Sequence, residues 1–234
     1  MGAWLNEVHA KFVLNFIEDD RWRYLWSGLG VTLRITFFAL LIGVTLGFIV
    51  AILRSTHDKT GKLRFLNFLC KVYLTIIRGT PVVVQLLITY FVIFQSIKID
   101  KVVVAIIAFG INSGAYVAEI VRSGIMSIDH GQFEAGRSLG FNYVQTMWYI
   151  VMPQAFKNIL PALGNEFIVL LKETSVSGYI ALQDLTKGGD IIRGRTFDPF
   201  MPLVAVALIY LSMVMILSAG VTRLERRMAR SDNR

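Results

Sequence analysis

Charge is scarce in this 234-residue chain: Asp, Glu, Lys and Arg make up 17% of it, against about 25% in an ordinary soluble domain. With 55% apolar residues and a mean hydropathy of +0.59, the shortage excludes a water-soluble enzyme. It predicts an all-α integral membrane protein, because in lipid a bundle of helices satisfies its own backbone. The length suits one bundle of about five spans with loops. Cysteine occurs once, as Cys70, so no intrachain disulfide can staple the fold and the residue reads as packing. The three histidines, His9, His57 and His130, are far apart and stand in no cluster with metal-ligand spacing, so no metal site is expected. No G-x-x-x-x-G-K-[ST] phosphate loop occurs: Gly61-Lys62-Leu63 lacks both the earlier glycine and the hydroxyl, which excludes ATP hydrolysis by that route. A nucleophile with a base is missing as well, which argues against an intramembrane enzyme and against a resident cofactor. No internal repeat of the kind common in ion-coupled secondary transporters is visible. The net charge of +8 does not signal nucleic acid, because the cations lie in short loops beside apolar runs rather than on a basic and aromatic module.

What the chain does contain is a series of apolar runs with polar interruptions. Residues 1–27 mix Glu18, Asp19, Asp20, Arg21 and Arg23 with Trp4, Trp22 and Trp26. They lack the basic start and clean apolar core of a signal peptide and read as an extracytoplasmic or interfacial segment with an aromatic belt. Spans are predicted at 28–53, 80–97, 102–121, 155–171 and 199–221. Arg34 in the first can snorkel to the headgroups, and Gly43 and Gly47 form a G-x-x-x-G pair that admits a second helix closely. Between the first two spans, 54–80 is basic, and 63–77 has helical periodicity suited either to the interface or to the lower part of the second span. Arg78-Gly79-Thr80-Pro81 then breaks or kinks that helix, either as a plain helix start with Thr80 as cap and Pro81 at the first helical position or as a functional hinge.

In the third span Asn112, Tyr116 and Glu119 fall on one helical face. The first two suit either a path for a zwitterionic solute or interhelical hydrogen bonds. Glu119 suits an ion pair with Arg122. The fourth span carries Pro161, Gly164, Asn165 and Glu166, which predict an interrupted helix of the kind that exposes backbone groups to a solute. Glu166 would either line that path or be neutralised by Lys157 or Lys172. The segment 172–198 reads as a polar outer segment whose 178–185 part folds back into the membrane as a gate, and 223–234 as a basic tail.

The chain is organised around 129–161. Asp129 with Gln132, and Asn142 with Gln145, both have capping-box spacing, and Gly140 stands where a left-handed residue ends one helix and turns into the next. Phe133, Gly136 and Leu139 form a weakly apolar face opposite Glu134, Arg137 and Ser138. Within this stretch Glu134-Ala135-Gly136, three residues, Gly140, nine residues, Ile150, one residue and Met152-Pro153 resemble the EAA loop of the membrane subunits of bacterial ABC importers. That loop reads E-A-A, three residues, G, nine residues, I-x-L-P. Gly136 replaces the second alanine and Met152 the leucine. Arg78-Gly79-Thr80-Pro81, Ala115-Tyr116-Val117-Ala118-Glu119-Ile120, and Asn165-Glu166-Phe167 leading to Leu171-Lys172-Glu173-Thr174-Ser175 resemble the branch that imports polar amino acids. After Ser175, Val176-Ser177-Gly178-Tyr179 departs from that branch, where apolar residues usually follow Thr-Ser.

The resemblance implies a type I importer transmembrane domain over 28–222, with a coupling region at 129–153. It implies a non-catalytic permease working with two ATP-binding cassette subunits, a second permease copy or homologue, an extracytoplasmic amino-acid-binding protein and membrane lipid. ATP would be bound by the partner, not by this chain. Glu134, Ala135, Gly136, Gly140 and Pro153 would couple to that partner, and Asn112, Tyr116, Asn165 and Glu166 are the candidates for the solute path. An ion-coupled secondary transporter or a passive channel subunit is the alternative. With the C-terminus inside, 14 of the 24 basic residues fall on inner segments, predicting a multi-pass protein of the bacterial cytoplasmic membrane with its N-terminus outside and the coupling region in the cytoplasm.

Overall fold

The structure, a computed structural model, describes residues 2–232. Arg234 of the basic tail lies outside them, and the side chains of Lys59 and Arg230 are not among those described. Among the described residues ten α-helices follow one another: α1 (Gly2–Phe12), α2 (Trp22–Thr60), α3 (Arg64–Gly79), α4 (Val82–Ile88), α5 (Lys101–Met126), α6 (His130–Ser138), α7 (Tyr143–Thr146), α8 (Met152–Glu173), α9 (Leu185–Thr196) and α10 (Phe200–Asp232). π-helical turns stand at Val13–Ile17, Thr89–Ile93 and Met147–Val151, and no strand occurs among the described residues. Three helices, α2, α5 and α10, are long and apolar enough to cross a membrane, and a fourth crossing results if α3 and α4 with its π turn form one broken span. Helix α8 carries Lys157, Glu166, Lys172 and Glu173 and is not among the segments that pass on length and composition.

Residues around Thr80 differ from the expectation. Thr80 closes α3 in an extended conformation, with its hydroxyl donating back to Ile76 O at 2.8 Å. Pro81 is itself the N-cap of α4 and accepts from the amides of Val84 and Gln85. The proline ring drives the residue before it out of the helical region, so the helix starts one residue later than the sequence suggests.

The chain divides into two compact units, with cuts inside α2, α5, α8 and α10 and at the Thr80–Pro81 break. One comprises residues up to Ala39, Pro81–Phe109 and Val169–Ile216. Its core gathers Phe16, Leu25, Leu185, Ile192 and Val206. A Cβ on Gly28 would stand 2.5 Å from Asp184 O, and one on Gly188 2.5 Å from Tyr24 O. Backbone therefore meets backbone where α2 and α9 cross. Asn15 ties the first π turn to the end of α9, donating to Asp198 Oδ2 and accepting from the Thr196 hydroxyl, each at 2.8 Å.

Much of 172–198 is packed helix rather than exposed polar chain. Thr174–Ile180 form 3-10 turns, and α9 buries Leu185, Gly188, Gly189 and Ile192. The paired glycines Gly188 and Gly189 let α9 pack closely, against Tyr24 and Val206.

The other unit comprises Leu40–Thr80, Gly110–Ile168 and residues from Leu217. A Cβ on Gly43 would lie 2.8 Å from Ser113 Oγ, and one on Gly47 2.5 Å from Val117 Cγ1. The G-x-x-x-G pair thus seats α5 on α2, as its spacing predicts. Val50 of α2, Cys70 and Leu74 of α3, and Ala115 and Ala118 of α5 form one core cluster. Cys70 is a buried packing residue of that cluster.

Helix α8 runs unbroken through Pro161, Gly164, Asn165 and Glu166, contrary to the predicted interruption. The polar positions are satisfied without a break. Glu166 is 8% exposed and accepts from the Ser113 hydroxyl at 2.7 Å, and Gly164 makes room for Val221. Pro161 is buried and forfeits one helical bond, a loss that membrane helices tolerate when neighbours pack against them.

Candidate coupling hairpin and solute cavity

Helices α6 and α7 form a hairpin whose turn is fixed at both ends. Asp129 caps α6 by accepting from Gly131 N at 2.6 Å. No full capping box forms there, because the Gln132 side chain faces Gln154, whose Nε2 donates to it at 3.3 Å. At the other end Gly140 has φ +80°. The Phe141 amide donates to Gly136 O at 3.0 Å and the Gly140 amide to Arg137 O at 2.9 Å. These two bonds make a Schellman motif, with Gly140 in the position that favours glycine.

Asn142 then opens α7 with a complete capping box: its Oδ1 accepts from Gln145 N, and the Gln145 Oε1 accepts from Asn142 N, each at 2.9 Å. Gly136 is buried under Thr146, and a Cβ there would stand 2.6 Å from both Thr146 Cγ2 and Oγ1. That close approach accounts for glycine where the EAA pattern has alanine. Phe133 stacks on Tyr143 with planes 9° apart and centroids 6.3 Å apart. Leu139, predicted on the apolar face with Phe133 and Gly136, is instead 72% exposed because it lies at the C-cap, where the helix has ended. Glu134 and Ala135 are exposed on the outer side of α6.

The exit from the hairpin is a π turn, Met147–Val151, followed by Pro153 in the first turn of α8. Proline has no amide to continue the i→i−4 ladder and crowds the carbonyl four residues back. The wider turn is placed where that carbonyl must be accommodated. Burial against Phe133 pushes the Tyr143 phenol above its ordinary pKa. Trp148, Tyr149 and Val144 project outward at 70%, 67% and 71% exposure, which with Leu139 leaves the hairpin an uncovered apolar rim.

A second feature of the same unit is a cavity of about 400 Å³ between α3, α5 and α8. Arg78, Tyr116, Glu119, Asn158 and Glu166 supply its polar and aromatic wall. The Arg78 guanidinium sits 5.8 Å from the centre of the Tyr116 ring and 3.5 Å from Glu119 Oε2. Glu119 also meets Arg122 at 4.0 Å, as its spacing predicts. Asn158 Nδ2 donates to Ser127 Oγ at 2.8 Å. The wall therefore offers one guanidinium, two carboxylates and a π face, a set able to hold an ammonium and a carboxylate of one small solute.

Of the four predicted path residues, Tyr116 and Glu166 line this cavity, whereas Asn112 and Asn165 do not. Asn112 is 2% exposed within the bundle, one turn from Tyr116. Asn165 is exposed on a different face of α8 from Glu166, because neighbours in a helix point about 100° apart. Arg78, read from the sequence only as part of the Arg78–Pro81 motif, and Asn158, not singled out at all, also line it. Arg78 lies 41 positions from Glu119, and only a packed structure brings them together. Glu166 takes its hydrogen bond from Ser113, on α5.

Comparison with known proteins identifies the family. Residues 43–230 match the family described as binding-protein-dependent transport system inner membrane component. A probable amino-acid ABC transporter permease, YckA of Bacillus subtilis, is 34% identical over 96% of this chain and 98% of its own length. The arginine transport system permease ArtQ of the same organism is 36% identical over 89% of this chain and 94% of its own. The glutamine permease GlnP of Escherichia coli is 34% identical over 88% and 97%. Among solved structures, a chain of an amino acid ABC transporter crystallised with histidines superposes with TM-score 0.82 at 42% identity, covering 88% of this chain and 94% of that one. A chain of the inward-facing MetNI methionine transporter, at 19% identity and TM-score 0.76 over 90% and 99%, shares the fold. The chain belongs to the binding-protein-dependent transport system inner membrane components, the permease subunits of bacterial ABC importers, with an EAA loop at α6 and α7.

Proposed function

We propose that this chain is the permease through which an ATP-driven importer carries a polar amino acid across the bacterial cytoplasmic membrane, with its N-terminus outside and its C-terminus in the cytoplasm. The observation that carries the reading is the α6–α7 hairpin, closed by the Gly140 Schellman turn and the Asn142 capping box, in a chain whose relatives bear the names of amino-acid permeases. The chain contributes no catalytic group and no ATP site. Two ATP-binding subunits would supply the energy, a second permease copy or homologue would complete the pathway, and an extracytoplasmic binding protein would deliver the solute.

When the ATP-binding pair closes, α6 is displaced and the permease alternates between outward and inward access. Glu134 offers the charged contact, and Ala135 and Gly136 keep the helix slim. Gly140 permits the sharp turn, and Pro153 sets the angle at which α8 leaves. In the cavity, Glu166 and Tyr116 receive the solute ammonium, while Arg78 is placed for its carboxylate.

The test is uptake into proteoliposomes. We expect accumulation to require both the ATP-binding subunits and ATP, and Gly140→Val, which forces a β-branched residue to φ +80°, to uncouple ATP hydrolysis from uptake. Uptake driven by an ion gradient alone would instead mark a secondary transporter, and dissipative uptake without ATP a channel.

A further inference from the structure

Along α3 lies a second depression, of about 480 Å³, which shares Arg78 with the solute cavity and is otherwise lined by Arg54, Lys71, Leu74, Thr75 and Gly79. Lys71, Thr75 and Arg78 recur at i, i+4 and i+7, so they form one stripe along α3. Arg54 comes from α2, one turn beyond the Val50 that packs on Cys70 and Leu74. The site thus holds three cations and a hydroxyl and no carboxylate. Arg78 is already engaged by Glu119, but among the described residues no carboxylate lies within ion-pair distance of Arg54 or Lys71. The Nε of Arg54 is buried without an acceptor, an uncommon state for a guanidinium N–H and one that calls for a ligand.

The neighbouring face of α3 is apolar and uncovered. Phe65, Phe68 and Ile76 are 71%, 60% and 55% exposed, while Asn67, Cys70 and Leu74 are buried on the opposite face. A cationic notch beside an exposed aliphatic and aromatic strip complements an anion that carries acyl chains.

We infer that Arg54, Lys71 and Thr75 form a binding site for the phosphate group of an anionic phospholipid, whose acyl chains lie along the Phe65–Ile76 face of α3. The inference rests on the membrane reading of the chain. Its readout is lipid retention rather than uptake, so its failure and the failure of the transport assignment are separable. The phosphodiester accepts from the Arg54 guanidinium, the Lys71 ammonium and the Thr75 hydroxyl.

The experiment is native mass spectrometry of the full-length permease released from nanodiscs of phosphatidylglycerol or phosphatidylcholine. We expect one phosphatidylglycerol retained per chain and no comparable retention of phosphatidylcholine. The double variant Arg54→Gln with Lys71→Gln should weaken retention by about 30-fold, the sum of two headgroup cations. The charge-conserving double variant Arg54→Lys with Lys71→Arg should keep it, which separates lost charge from lost folding. Equal retention of the two lipids, or unchanged phosphatidylglycerol binding in the double glutamine variant, overturns the proposal. Displacement by inorganic phosphate at matched ionic strength also overturns it, because the notch would then be a small-anion site.

Discussion

Gly136 tolerates little change, because the space a methyl would need is filled by Thr146 at 2.6 Å. Gly136→Ala should destabilise the permease by about 1–3 kcal/mol through overpacking, even though it restores the alanine of the EAA pattern. Thr146→Ala in the same chain should recover most of that loss, since it removes both of the nearest atoms. Thermal unfolding of the two single variants and the double variant measures the coupling. At Glu166 the two substitutions that disturb its contact with Ser113 have opposite expected profiles. Ser113→Ala leaves a buried carboxylate without its donor and should cost about 1–3 kcal/mol in unfolding free energy. Glu166→Gln keeps an acceptor for that hydroxyl and should preserve the unfolding temperature, while lowering uptake at least tenfold if the charge is what the solute ammonium meets. Unfolding scans and uptake assays run on both variants distinguish the roles.

At the scale of the element, α9 sets a pH dependence. Its N-cap Asp184 is fully buried and accepts from Lys187 N at 3.0 Å and Thr186 N at 3.2 Å. Burial outweighs these bonds and raises the Asp184 pKa above the usual carboxylate value. A carboxyl that binds its proton more tightly when folded is favoured at low pH, so its contribution to stability falls as pH rises from the ordinary carboxylate value through the raised one. Asp184→Asn, which still caps the helix, should flatten that part of the profile and unfold at the same or a higher temperature at neutral pH. Paired melts at pH 5 and 7 check it.

How far such elements were legible depended on the kind of signal each one carried. The hairpin was readable because Gly140 and Asn142 act through bonds to near neighbours in sequence. The G-x-x-x-G pair was readable because a missing side chain on a helix has one common use. Helix α9 was not, because Thr186, Lys187, Gly188, Gly189 and Asp190 look like a turn until Tyr24 and Val206 are seen pressed against the glycines. The break predicted in α8 failed for a related reason, since Ser113 and Val221 reconcile Glu166 and Gly164 with an intact helix only through tertiary contact. The cavity was half legible: helical periodicity grouped Tyr116 with Glu119, but nothing local placed Arg78 against them or turned Asn165 away.

For the whole molecule, the distribution of cations predicts which side each segment faces, and the single cysteine makes the prediction direct to test. In a Cys70→Ala background, cysteine at position 139, where Leu139 is 72% exposed, should react with a membrane-impermeant maleimide only in inside-out vesicles. Cysteine at position 4, where Trp4 is 64% exposed, should react only in intact cells. Labelling of position 139 from outside would reverse the orientation and remove the hairpin from reach of any cytoplasmic ATPase.

The elbow between α6 and α7 is cross-braced by the two Schellman bonds and the two reciprocal Asn142–Gln145 bonds. With Gly136 wedged beneath Thr146, the hairpin has little slack in which to fold up under load. A lever with a soft joint would squander its stroke in bending; if an ATP-binding partner pushes on α6 as proposed, so braced an elbow would pass that push on toward the head of α8, the helix that carries Glu166.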